Sequence, residues 1–125
     1  MGQKDNLDEH LMGIAREVVE RTLDELPEEI APEVEQVPVF VEMEPDEADL
    51  EAGVGADWLG IFEGPSLNFA DHPSPPRIRI WVRNLWLHSS GRESMFREEV
   101  RVTLLHEIGH YLGLDEDGVA RLGLE

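Results

Sequence analysis

The stretch His106-Glu107-Ile108-Gly109-His110-Tyr111-Leu112-Gly113-Leu114-Asp115-Glu116-Asp117 gathers two imidazoles and four carboxylates within twelve residues. It opens with the pattern His-Glu-x-x-His. On an α-helix His106 and His110 fall ~40° apart around the axis and about 6 Å apart along it. Two imidazoles so placed can converge on one tetrahedral cation, and zinc takes nitrogen ligands at about 2.0–2.1 Å. Glu107 is rotated ~80° from the mean direction of the pair. That sets it beside the ion, where a carboxylate can act as a base on water. The competing reading is a pair of satisfied core histidines next to a structural carboxylate. Imidazole and carboxylate groups on a buried helix need partners, and a metal supplies them.

A zinc site of this type needs a third protein ligand. If the helix ran on past Gly113, Asp115 and Glu116 would point away from the histidines, and Asp117 would return to their face ~10 Å too far along. The chain must therefore turn, and Gly113 is the residue that permits it. Three consecutive carboxylates follow. The spacing His-Glu-x-x-His-x-x-Gly-x-x-ligand lands on Glu116, with Asp115 and Asp117 as the alternatives.

The helix that positions these groups is readable upstream. Ser90-Gly91-Arg92-Glu93 has the form of a capping box. From there Met95, Phe96, Val100, Val102, Leu104, Leu105, Ile108 and Leu112 are apolar on most sides of a helix, which makes it central and buried. Gly113 ends it. At the other end, Leu7, Leu11, Ile14, Val18, Leu23 and Leu26 recur at helical spacing. Asn6 is placed to cap that helix with Glu9, and Pro27 to stop it. His10 on it reads as a surface residue.

Residues 37–41 (Val-Pro-Val-Phe-Val) and 58–62 (Trp-Leu-Gly-Ile-Phe) read as strands, and 77–83 as the clearest one. There Ile78, Ile80 and Val82 face one way. The arginines and Trp81 face the other, where they can pair with carboxylates and cover the sheet. Residues 42–51, with six acids, read as a solvated loop, and 64–76, rich in Pro, as another.

The 125 residues suit one domain, 1–125, with 41% hydrophobic and 30% charged residues. The absence of cysteine excludes disulfides, thiolate metal sites and cysteine nucleophiles. The formal charge is −18, and residues 1–60 hold 18 of the 28 acids against three of the ten bases. Such a surface opposes nucleic acid and anionic membrane as partners. No signal-type apolar stretch opens the chain and no run approaches the ~18 apolar residues that span a bilayer, so a cytoplasmic location is expected.

Residues 106–116 resemble the metzincin-type consensus. The wider chain, roughly residues 10–120, resembles a family of small bacterial zincin-like metallopeptidases. The shared features are Leu26-Pro27-Glu28-Glu29, Leu59-Gly60-Ile61-Phe62-Glu63-Gly64, the Arg77–Val82 strand and the His106–Asp117 motif. The resemblance implies a minimal α+β zincin-like domain. A sheet of three to four strands would pack on an N-terminal helix and a buried C-terminal metal-binding helix. It further implies Zn2+ on His106, His110 and Glu116 or a neighbouring acid, and hydrolysis of peptide bonds by a zinc-activated water with Glu107 as general base. Metzincins carry a histidine as third ligand and a methionine turn downstream of the motif. Here the third ligand must be an acid, and the methionines all lie upstream. Two other readings differ in class. One is a zinc hydrolase acting on RNA, which the charge opposes. The other is a non-catalytic zinc module, which has no use for Glu107. The substrate side is expected along an edge strand, with Leu59–Glu63 the candidate, and His72 and His88, in or beside loops, are placed to approach the oxyanion at the metal site.

Overall fold

The computed structural model describes residues 3–64, 75–114 and 116–121, without the side chains of Gln3, Lys4, Asp5, Glu116, Val119 and Arg121. The first helix, α1 (Gln3–Asp24), buries Leu11, Ile14, Ala15, Val18 and Val19, the stripe that the helical spacing marks out. It begins earlier than expected: Asn6 lies inside the helix and does not cap it, and Leu7 is exposed. It ends two residues short of Leu26, because a residue before proline is pushed out of helical geometry. A single turn, α2 (Ala31–Val34), then seats Val34 in the core.

The sheet has three strands among the described residues: β1 (Val39–Glu42), β2 (Gly60–Glu63) and β3 (Arg77–Trp81), in the order β1-β3-β2. β1 runs parallel to the central β3, and β2 runs antiparallel to it. The acidic stretch 42–51 is not a plain loop. Its second half forms α3 (Glu47–Glu51), capped reciprocally by Asp46 and Asp49. The pattern Asp-x-x-Asp, a variant of the capping box, was the signal for it.

Both faces of β3 are buried. Ile78 and Ile80 enter the core, while Arg79 and Trp81 lie under α3 and the end of β1. Arg79 reaches Asp49 at 2.6 and 2.8 Å and Glu42 at 2.8 Å. Its guanidinium also stands 5.2 Å over the Trp81 ring. This is the pairing of strand arginine with carboxylate that the alternation predicts.

The strand stops at Trp81, two residues earlier than expected, and passes directly into α4 (Val82–His88). Val82 and Leu85 bury there, and Arg83 ties the helix to Glu44 and Asp8. A turn through Ser89, Ser90 and Gly91 follows. Ser90 has φ 55° and does not cap the next helix, so the expected capping box is absent. The long helix α5 (Glu93–Leu112) runs through the core, burying Phe96, Val100, Leu104, Leu105 and Ile108 against α1, α4 and the sheet. Met95 and Val102, expected inside, are exposed. A final helix, α6 (Glu116–Arg121), lies against the end of α5. No helix among the described residues is long and apolar enough to cross a membrane.

Candidate metal centre

The last two turns of α5 carry the candidate site. His106 and His110 are exposed, and their Nε2 atoms face each other at 3.0 Å, with the ring planes 80° apart. Two nitrogens at about 2.05 Å from one tetrahedral ion lie about 3.3 Å apart. The imidazoles therefore already stand near the separation that a shared ion imposes, so the pair fits zinc in both chemistry and spacing.

Glu107 is 8% exposed, wedged between α5 and β2. Burial pushes its carboxyl above the ordinary range. The two histidines and a hydrogen bond from the Phe62 backbone N–H oppose that shift. The bond is possible because of strand register. Trp81 N–H donates to the Leu59 carbonyl at 2.9 Å, which makes Leu59, Ile61 and Glu63 the residues bonded across to β3. Gly60 and Phe62 turn their peptide groups to the opposite side, an edge left unpaired by strands among the described residues, and Phe62 meets Glu107 there.

Gly60 lets the helix come this close. A Cβ at that position would lie 2.9 Å from the Thr103 methyl and 3.0 Å from the Arg79 carbonyl. Tyr111, one turn beyond Glu107 on the sheet-facing side of α5, packs its ring 5.7 Å from Phe62 and points away from the histidines, as its helical angle requires.

The helix ends as the sequence demands. Gly113 adopts φ 72°, its N–H bonds to the His110 carbonyl at 3.1 Å, and Leu114 N–H bonds to the Gly109 carbonyl at 2.9 Å. These two bonds form a Schellman motif. Only glycine takes this backbone without strain. Gly113→Ala is expected to cost about 1–2 kcal/mol in denaturant unfolding and to weaken metal binding by displacing the segment that follows.

Of the three candidate third ligands, Asp115 lies outside the described residues. Glu116 opens α6 with its side chain undescribed, and Asp117 is exposed. Among the described residues no third histidine or acid joins the pair. His72 also lies outside the described residues, and His10 is exposed, 3.5 Å from Glu93.

A cleft of about 560 Å³ opens beside the pair. One wall is a stripe of α5: Glu99, Val102, Thr103, His106 and Glu107. The other wall is the approach to β2 and the end of α4, with Trp58 and His88. The spacing of that stripe follows in the sequence from the helix repeat continued upstream of His106. For the partner of Glu107, Gly60 within a strand is the only cue.

Fold and site together define a small α+β domain whose central helix presents a His-Glu-x-x-His metal pair beside a sheet edge. The model of the zincin-like metallopeptidases matches residues 34–124, and the chain belongs to that family. Membership indicates, in general terms, a zinc-dependent peptidase and hence a hydrolase. No curated protein matches the chain significantly.

Proposed function

We propose that the chain hydrolyses peptide bonds, with zinc held by His106, His110 and Glu116 and with Glu107 as general base. Asp115 and Asp117 are the alternative third ligands. The observation that carries this reading is the facing pair of Nε2 atoms with a buried carboxylate one residue away. When bound, zinc supplies an acidified water and polarises the scissile carbonyl.

The chain's own groups do the rest. The Glu107 carboxylate accepts a proton from the attacking water and passes it to the leaving nitrogen. Burial favours the protonated form of Glu107 and so eases acceptance, while the histidines and then the Phe62 N–H favour the charged form. The outward peptide group of Gly60 and the outward carbonyl of Phe62 offer an extended substrate a strand to pair with, the Phe62 N–H being taken by Glu107. The −18 charge favours peptides over nucleic acid and over anionic membrane, and the expected setting is the cytoplasm.

Metal analysis of the purified full chain is expected to find about one zinc per molecule. Mixed peptides are expected to be cut, and chelator to stop the cutting. Cleavage of RNA instead, or zinc without hydrolysis of either, would overturn the peptidase reading. Glu116→Gln is expected to weaken zinc binding by more than the roughly 10–100-fold that loss of an outer-shell partner costs. A larger loss in Asp115→Asn or Asp117→Asn would move the third ligand to that residue.

A further inference from the structure

The cleft beside the histidines has a composition that the hydrolytic chemistry does not require. Trp58 and Val102 are each 44% exposed, large apolar groups left open on facing walls. Trp58 is not loose. Asn84 Nδ2 donates to its carbonyl at 2.9 Å and to that of Ala56 at 2.8 Å, and its indole covers Gly55 so closely that any Cβ there would collide with the ring. Two acids besides Glu107, Glu99 and Asp57, line the same cleft. Glu99 is three-quarters buried, and its one ionic neighbour among the described residues is His88 at 3.6 Å, which cancels the charge only when protonated.

Distance decides which ligand fits. Glu99 lies seven residues before His106 on the same helix face, about 10 Å along the axis. A lysine or arginine side chain extends about 6–7 Å from Cα to its charged head, and the scissile bond lies a few ångströms further back. A short or acidic side chain meets either empty space or repulsion. A long basic one lays its stem on Val102, its cation over the Trp58 ring and its head at Glu99.

We propose that this groove is a specificity subsite that selects a lysine or arginine adjoining the scissile bond, with Glu99 and Trp58 as the selecting residues. The proposal rests on the peptidase reading above, and its test separates the two. Zinc-loaded full chain would be assayed on peptides identical except for Arg, norleucine or Glu at the residues flanking the cleavage site. The kcat/KM ratio of Arg to norleucine is expected to be about tenfold, falling towards unity in Glu99→Gln and inverting towards the Glu peptide in Glu99→Lys. Cleavage without preference for Arg, or a ratio unmoved by Glu99→Gln, would overturn the subsite and leave the peptidase reading intact.

Binding gives a readout free of turnover. In zinc-loaded Glu107→Gln the Arg peptide is expected to change tryptophan emission and bind about tenfold tighter than norleucine, with the signal lost in the added Trp58→Phe change. That preference without hydrolysis in the parent would overturn the peptidase reading and keep the groove. Equal affinities would end the groove.

Discussion

Glu107→Gln is expected to keep its zinc and its fold and to lose turnover by about 10²–10⁴-fold, the range that a positioned general base contributes. The amide oxygen of glutamine can still accept the Phe62 N–H, so the side chain stays where the carboxylate was. What it cannot do is accept and return a proton. His106→Ala is expected to lose zinc and activity together, because one of two facing nitrogens is gone. The contrast between the two variants is the diagnostic result. Equal turnover in Glu107→Gln and the parent would make the zinc structural and the domain a binding module.

Stability should move the opposite way. Burial holds the Glu107 carboxyl above its ordinary range, so the folded, metal-free protein disfavours the charge that neutral pH imposes on it. The contribution of Glu107 to stability is therefore fullest below the unfolded carboxyl value of about 4.3 and is lost as pH rises through the raised folded value. Glutamine carries no charge at any pH. The metal-free variant is expected to melt above the parent at pH 7–8, with the gap closing towards pH 4, as thermal unfolding at several pH values would show.

The parts of the molecule legible in its sequence are those where one local rule decides. The apolar stripe of α1, the alternation in β3 and the helix stop at Gly113 each follow from spacing or from one residue's backbone freedom. The facing of His106 and His110 follows from the helix repeat alone. The rest depends on contacts distant in sequence. The acids of 42–51 read as solvated because nothing nearby pairs with them, yet Arg79 lies 30 residues beyond Asp49 and draws that stretch onto the sheet. Ser90 has the residues of a cap, but the turn that reverses α4 into α5 takes it into positive φ, where it cannot cap. The anchor of Glu107 on Phe62 needs strand register, which no local pattern reports.

Arg79 is where the largest loss of stability is expected. It is 6% exposed and meets Asp49, Glu42 and, at 3.5 Å, Glu63. It thereby joins the end of β1, helix α3 and the edge strand β2 that carries Phe62. Arg79→Met keeps the stem over Trp81 but removes the charge, leaving the carboxylates to repel one another. Breaking a buried ion pair from one side costs about 3–5 kcal/mol; with Glu42 still a third exposed, about 2 kcal/mol is expected, or roughly 8 °C in Tm.

Acid should distinguish this loss from a packing defect. The Arg79 hydrogen bond, followed by the Asp46 backbone N–H, holds the Asp49 carboxyl well below the usual carboxylate range. Asp49 therefore stabilises the parent above the unfolded value of about 3.9, and that contribution fades as pH falls through the depressed folded value. In Arg79→Met most of this dependence disappears, because the cation that made ionised Asp49 favourable is gone. Parent and variant are thus expected to differ most near pH 7, with a smaller gap at pH 3 that closes only as pH falls further through the depressed folded value, and with Asp49→Asn added to Arg79→Met restoring part of the loss at pH 7 by removing one of the repelling charges. A deficit of the same size at both pH values would mean that Arg79 acts through its stem against Trp81 and not through its charge.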